Sequence, residues 1–202
     1  MKSFVTLFAL IAVAAATCPP LWTSGGRSCY RYFRTPATID QAINFCMDYG
    51  NCDGEMAQVV QIESHRETIL LQKYMNMFVS EQQRQPPSFW LNLRLQQVRD
   101  PTTGANNAWW MWGDGTKIGN AGQQPGAGVT PVPPVPPYTN FGVSSTVLPS
   151  IGTGQCVYTA LQNTVGLIWK PTACNIRAGI LCEMPSGDRR PVGPRRRPVA
   201  IQ

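Results

Sequence analysis

Cysteine is the residue type in this 202-residue chain with the widest choice of chemistry, and the sequence contains seven cysteines. Cysteine thiols form disulfides, ligate metals or carry redox reactions, and the cellular compartment decides among these uses. The first residues, MKSFVTLFALIAVAAATC, indicate export to an oxidising compartment, so disulfides are the expected use. Because seven is odd, one thiol is left without a partner.

The residue types needed for catalysis occur in patterns that favour ordinary structural roles. The single histidine, His65, lies at the predicted start of a helix, where a lone histidine is typically a solvated surface residue. Glu63 and Glu67 flank the same helix start, where their negative charge interacts favourably with the helix dipole. Zinc-ligand spacing, a Gly-x-Ser-x-Gly elbow and a phosphate-binding loop are absent from the sequence. The sequence therefore predicts a protein that is not an enzyme.

Tryptophans are the other candidates for a binding surface. Trp169 precedes Cys174 in the stretch IWKPTAC, where it could form the lip of a ligand site or pack beside a disulfide. Trp90, Trp110 and Trp112 could form a stacking surface or pack in the core.

The chain divides into three parts. Residues 1–16 are predicted to be a signal peptide cleaved after Ala16, and the rest has no apolar run of about 18 residues that could span a membrane. Residues 17–184 are long enough for one domain with its own core. Residues 185–202 hold five arginines and one aspartate among prolines and glycines, and are predicted to be a disordered basic tail. This tail could be a solubilising segment or a binding segment for an anionic partner.

Two capping patterns predict two helices in the first half of the domain. Thr38 and Gln41 form a capping box before a helix that ends near Gly50, with Ile39, Ala42, Ile43 and Cys46 on its buried face. Ser64 and Glu67 form the second box, before a helix whose apolar residues are Ile69, Leu70, Tyr74, Met77 and Phe78.

The remainder of the domain is predicted to be mostly β-structure. MAQVVQI indicates a buried strand between the helices, and SFWLNLRLQQV and NNAWWMWGDG indicate two more after them. Residues 118–169 contain no charged side chain, and about 118–137 are rich in proline and glycine, which predicts a long surface loop.

The order of cysteines and tryptophans resembles the C-type lectin-like domain. The resemblance runs through CPPLW, SCY, SFWLNL, WMWGDGT, YTNF, QCVY, WKPTAC and GILCE, and covers nearly the whole chain from Cys18 to Glu183. It implies an α+β fold with two helices, antiparallel sheets, a long loop region and stapling disulfides. It also implies three pairings, Cys18 with Cys29, Cys46 with Cys182, and Cys156 with Cys174. Cys52 has no family partner and is either a buried free thiol or an intermolecular link.

Sugar-binding members of this family hold calcium with acidic and amide side chains that this chain lacks. Gln155 precedes Cys156, and Lys170 and Pro171 follow Trp169, where the resemblance would place Asn and Asp. The chain has no carboxylate between Asp114 and Glu183, whereas calcium requires six to eight oxygens, several of them anionic. The sequence therefore predicts no calcium-dependent sugar site and no cofactor.

Three functions remain open at this level. The domain with its Pro/Gly-rich loop and Arg-Pro tail is similar to echinoderm spicule matrix proteins, which implies a secreted structural role in the extracellular matrix of a calcium carbonate skeleton. The tail arginines would then contact the mineral surface or acidic matrix polymers, with self-association also expected, and with neither nucleic acid nor membrane as partner. They are Arg189, Arg190, Arg195, Arg196 and Arg197. The alternatives are a calcium-independent innate-immune recognition protein for glycans or proteins, and a venom- or mucus-type subunit that pairs through Cys52.

Overall fold

The computed structural model of the protein describes residues 18–51, 54–79, 87–99, 104–126, 137–141, 148–162 and 166–187. The expected signal peptide, Cys52 and the five tail arginines lie outside these residues. The described part contains two α-helices and nine β-strands, with a short 3-10 helix at Ile151–Thr153. In chain order they are β1 (Thr23–Gly25), β2 (Ser28–Ala37), α1 (Ile39–Met47), β3 (Gln58–Val59), α2 (His65–Asn76), β4 (Ser88–Arg99), β5 (Asn106–Trp112), β6 (Lys117–Asn120), β7 (Cys156–Gln162), β8 (Gly166–Thr172) and β9 (Ala178–Pro185).

Helix α1 begins at the predicted cap. The Thr38 side chain accepts a hydrogen bond from the Gln41 backbone N–H, and the Gln41 side chain accepts one from the Thr38 N–H, which completes the capping box. The helix buries Ile39, Ala42 and Cys46 as predicted, but it ends at Met47, three residues before Gly50.

Helix α2 differs from its prediction in the face that it buries. Ser64 caps it by accepting from the Glu67 N–H, but the Glu67 carboxylate accepts from the Glu63 N–H and not from Ser64. The helix buries Thr68, Leu71, Tyr74 and Met75, whereas Ile69 and Met77 are 41% and 67% exposed. The apolar residues of this segment lie on two overlapping faces of the helix, either of which could be buried. Packing against β7 and β8 buries the face that carries Leu71 and Met75.

A mixed sheet forms the framework, with strand order β1-β2-β9-β4-β5-β6. β7 pairs with β4 and β8, and the contact between β4 and β9 is parallel. The predicted strand in MAQVVQI is shorter than expected, because only Gln58 and Val59 pair with β9, opposite Glu183 and Cys182. Val60 and Ile62 nevertheless lie in the core.

The structure contains the three disulfides that the resemblance implies, Cys18–Cys29, Cys46–Cys182 and Cys156–Cys174. The second joins α1 to β9, and both of its cysteines are fully buried. Disulfides persist in oxidising, extracellular environments, which is consistent with an extracellular protein.

The expected loop at 118–137 does not begin as a loop. Residues 118–120 belong to β6, where Gly119 pairs with Trp110 and the Ile118 side chain is fully buried. The chain then turns back, and the Gly126 N–H donates to the Ile118 carbonyl oxygen. Residues 127–136, the proline-rich part, lie outside the described residues. Pairing with β5 gives residues 118–120 the backbone hydrogen-bond partners of a β-strand. The composition of the segment did not predict this pairing.

Candidate functional site

Trp169, which opens the IWKPTAC stretch, lies in the core. Its side chain is 1% exposed, and its ring centroid lies 5.6 Å from that of Trp112, 5.8 Å from Tyr138 and 5.3 Å from Phe141. β7 and β8 pair Cys156 with Thr172, next to the Cys156–Cys174 bond. Trp169 therefore packs in the core among other aromatic rings and is not the lip of a ligand site.

The residues around Trp169 do not fit the calcium ion that sugar-binding family members hold. Lys170 stands opposite Tyr158 and Pro171 opposite Val157 in the β7–β8 ladder, and Gln155 precedes the ladder. An ammonium group and a proline ring supply no anionic oxygen, and the lysine charge repels a cation. The donor set at this position is therefore unsuitable for calcium.

The three tryptophans that the sequence offers as a stacking surface are also core residues. Trp90 and Trp110 are fully buried, and Trp112 is 3% exposed. The Trp90 indole N–H donates to the Ala37 carbonyl at 2.7 Å, and the Trp110 indole N–H donates to the Pro149 carbonyl at 2.9 Å. Buried indoles normally satisfy their N–H group in this way, so none of these rings forms a stacking surface.

The two carboxylates that the sequence assigns to a helix start lie there and also border a polar cavity. Glu63 and Glu67 meet Glu183 and Asp114 around a space of about 500 Å³ between the start of α2, the β1–β2 hairpin and β9. His65, by contrast, is exposed. We call this space the acidic cavity. Its lining residues are Gly25, Gly26, Arg27, Ser28, Tyr30, Gln58, Gln61, Glu63, Ser64, Arg66, Glu67, Leu70, Asp114 and Glu183.

Glycines in the β1–β2 hairpin allow one wall of the cavity to form. A Cβ atom on Gly25 would lie 2.7 Å from the Tyr30 ring and 2.8 Å from the Leu70 side chain. Gly26 has a φ of +71°, in the left-handed region that glycine adopts at low cost. Larger residues here would push the hairpin away from α2.

Hydrogen bonds fix the carboxylates on the cavity wall. The Tyr30 hydroxyl donates to Glu67 Oε1 at 2.8 Å, and the Glu63 N–H donates to Glu67 Oε2 at 3.0 Å. The Gln61 N–H donates to Glu183 Oε2 at 3.2 Å. The Gln61 side chain is only 5% exposed, and among the described residues its Nε2 has no hydrogen-bond partner. The cavity therefore contains a buried donor without an acceptor.

Burial shifts the pKa values of three ionisable side chains on this wall of the cavity. Burial, together with the nearby charges of Glu67 and Glu63, raises the pKa of Glu183 to about 7. Burial also raises the pKa of Glu67, although its hydrogen bonds oppose this, and burial with the charges of Glu183 and Glu67 raises the pKa of Tyr30. Tyr30 therefore remains a hydrogen-bond donor at neutral pH, and Glu183 changes charge near it.

Because the pKa of Glu183 is raised, we expect the contribution of this residue to the free energy of unfolding to fall as pH rises. The folded protein holds the Glu183 proton more tightly than the unfolded chain, so this stabilisation is complete below about pH 4.5 and is lost as pH rises through about 7. We expect Glu183→Gln to flatten this decline, because the amide stays neutral and can still accept from the Gln61 N–H. Urea unfolding between pH 4.5 and 7.5 measures the difference.

Asp48→Asn, which neutralises an exposed acid outside the cavity, is the matched control for that measurement. It is expected to leave the pH dependence of the wild type in place. Parallel pH curves for the wild type and Glu183→Gln would show that Glu183 does not carry the effect.

Sequence reasoning found two members of this site but missed the site itself. Glu63 and Glu67 were recognised as paired acids, whereas Glu183, Gln61, Arg27 and the rest join them only through the pairing of β9 with β2 and β3.

Within the described ranges, no group of three or more His, Cys, Asp or Glu side chains has an arrangement that could hold a metal ion. Neither described helix is long and apolar enough to cross a membrane.

No protein-family model matches the chain. Over 54 residues, 27% of this chain and 37% of the relative, it is 43% identical to the snaclec echicetin subunit alpha of Echis carinatus. It is 30% identical to echinoidin of Heliocidaris crassispina over 104 residues, 49% of this chain and 63% of echinoidin. The matched regions thus span less than two thirds of both relatives.

Solved structures share the fold at low sequence identity. The C-type lectin CEL-I from Cucumaria echinata superposes with a TM-score of 0.51 at 20% identity, over 84% of this chain and 98% of CEL-I. Ovocleidin-17 from the Gallus gallus eggshell calcified layer superposes with a TM-score of 0.51 at 18% identity, over 84% of this chain and 99% of ovocleidin-17. Two helices, a mixed sheet, three disulfides and these likenesses show that the chain has a C-type lectin-like fold.

Proposed function

We propose that this protein is a secreted structural matrix protein of a calcium carbonate mineral, whose lectin-like domain works without the calcium and sugar ligands of the family. In this role it is a binding protein and not an enzyme. Its partners are the mineral surface or acidic matrix polymers, and it uses no cofactor.

The observation that carries this proposal is the loss of anionic oxygens where calcium-binding lectins need them. Lys170 and Pro171 on β8 and Gln155 before β7 offer no carboxylate, and none occurs anywhere between Asp114 and Glu183. A sugar held through a calcium ion has no site at this position. A role in which the protein contacts anions directly fits the chain better.

The chemistry of arginine supports the proposed contact with carbonate. The guanidinium group is a planar fork of hydrogen-bond donors that matches carboxylate and phosphate oxygens, and planar carbonate presents a similar set. Five arginines are concentrated in residues 185–202, whereas residues 17–184 are close to electrically neutral, with eleven Lys or Arg against ten Asp or Glu. Ovocleidin-17 supports the proposal because it has the same fold and is a protein of a calcified layer.

The experiment compares adsorption of two full-chain variants to calcite with the same loss of charge. One replaces Arg195, Arg196 and Arg197 in the tail with glutamine, and the other replaces the exposed residues Lys73, Arg99 and Arg177 of the domain. Because an exposed charge contact contributes roughly 0.2–1 kcal/mol, we expect the tail variant to need about tenfold more protein for half-saturation. The domain variant should change this concentration by less than about twofold.

Equal losses in the two variants would show that calcite responds to total charge and not to the tail. If the wild type fails to adsorb to calcite but binds glycan-coated surfaces in the presence of a chelator, the proposed matrix role is wrong. That result would support calcium-independent recognition.

A further inference from the structure

The acidic cavity has the features of a binding site for a segment that carries both cations and hydrogen-bond acceptors. Four carboxylates, those of Glu63, Glu67, Asp114 and Glu183, outnumber the guanidinium groups of Arg27 and Arg66. No ion pair joins these arginines to the cavity carboxylates among the described residues. In a protein with a net charge of +6, this is a locally negative surface.

The buried amide of Gln61 restricts the kind of ligand. Among the described residues its Nε2 group lacks an acceptor, and the side chain, which is only 5% exposed, is part of the cavity lining. A bare cation would pair with the carboxylates but would leave this donor unsatisfied, at a cost typical of buried polar groups. An arginine-containing peptide supplies both partners, because its guanidinium groups donate to the carboxylates and its backbone carbonyls accept from Gln61.

The described chain ends at the rim of this cavity. The Ser186 N–H and its hydroxyl donate to the Arg27 carbonyl at 2.8 and 2.9 Å, and Arg27 lines the cavity. Gly187 is the last described residue, and Arg189 and Arg190 follow two and three positions later. At 3.3–3.6 Å per residue, both arginines start within about 7–11 Å of that rim, so the local concentration of the tail at the cavity is high.

We propose that the acidic cavity is the docking site for the basic C-terminal segment of the same chain, residues 188–202, with the guanidinium groups of Arg189 and Arg190 placed against Glu63 and Glu183. A docked guanidinium would favour the charged form of Glu183 and Glu67, and so would oppose the raised pKa values that burial gives these two carboxylates. The contact leaves Arg195, Arg196 and Arg197 available for an external anion. It goes beyond the matrix role and does not depend on it.

Trypsin cleavage of the full chain tests the docking directly. Cleavage after Arg189 and cleavage after Arg195 release different peptides, and mass spectrometry measures their initial rates. We expect Glu63→Gln/Glu183→Gln to speed cleavage after Arg189 about tenfold, the effect of losing charge-assisted hydrogen bonds, with little change after Arg195. Glutamine keeps the size of both side chains, and an unchanged near-UV circular dichroism spectrum verifies that the variant is folded.

Two controls make each outcome decisive. Asp48→Asn removes an exposed acid outside the cavity and is expected to leave both cleavage rates unchanged. Equal cleavage after Arg189 in the wild type and the cavity variant overturns the proposal, as does an equal acceleration in Asp48→Asn. Protection that strengthens with protein concentration also overturns it, because the tail would then occupy a second copy. Since no mineral is present, these results are separate from those of the calcite experiment.

Discussion

Replacing Cys46 and Cys182 together with alanine is expected to lower the free energy of unfolding by about 5 kcal/mol. The two cysteines are 136 residues apart, and their bond closes the longest disulfide loop of the described chain. In the chain-entropy model, removing a crosslink frees the unfolded chain in proportion to the logarithm of the loop length. Both cysteines are also fully buried, so their loss leaves unfilled space between α1 and β9.

Removal of the Cys18–Cys29 bond provides the matched comparison. Its cysteines are 11 residues apart, and the same model gives a cost of about 3 kcal/mol. Guanidinium unfolding of both double variants under oxidising conditions measures the two losses. Equal losses, or a greater loss for the short loop, would contradict the expectation that loop closure dominates.

The second large effect is expected at Trp90, which is fully buried on β4. Trp90→Ala removes a large core side chain, a change that typically costs about 3–5 kcal/mol. It also leaves the Ala37 carbonyl without the indole N–H that donates to it at 2.7 Å. Ala37 is the last residue of β2, next to the start of α1. The hydrogen bond therefore connects β4, which carries Trp90, to the beginning of this helix.

Trp90→Phe separates these two contributions, since it keeps a ring in the core but loses the hydrogen bond. We expect it to cost about 1–3 kcal/mol, less than the alanine variant. Met77→Ala, at a side chain that is 67% exposed, is the control and should change stability by less than about 0.5 kcal/mol. The proposed packing role of Trp90 fails if Trp90→Ala and Met77→Ala unfold at the same denaturant concentration.

The two proposals divide the tail between two tasks. In these proposals Arg189 and Arg190 contact Glu63 and Glu183, whereas Arg195, Arg196 and Arg197 contact an external anion. A docked first half would hold the second half near one face of the molecule. The calcite and trypsin experiments use different arginines or carboxylates, so either proposal can fail while the other stands.

Local features of the fold were predictable because their causes lie within a few residues of one another. Thr38 and Gln41 are three positions apart, so the first capping box could be recognised in the sequence alone. The burial of Trp90, Trp110 and Trp112 was predicted from their place in the framework of the fold that the chain resembles. The three disulfide pairings came from the family resemblance, because cysteine spacing alone allows many connectivities.

Tertiary packing decided what local spacing left open. Helix α2 has apolar residues on two overlapping faces, and only contact with β7 and β8 selects Leu71 and Met75 for the core while Ile69 and Met77 stay exposed. Residues 118–120 looked like the start of a loop, but pairing with β5 makes them a strand.

By itself, the sequence determined the two helix starts and the lack of carboxylates around Trp169, because each depends on residue type or on neighbours along the chain. Only the tertiary structure assembled the acidic cavity. Glu67 and Glu183 are 116 positions apart in sequence, and they share one wall because β9 pairs with β2 and β3 beside the start of α2. Their raised pKa values arise from burial and from the charges of neighbouring carboxylates, and this environment exists only once the chain has folded.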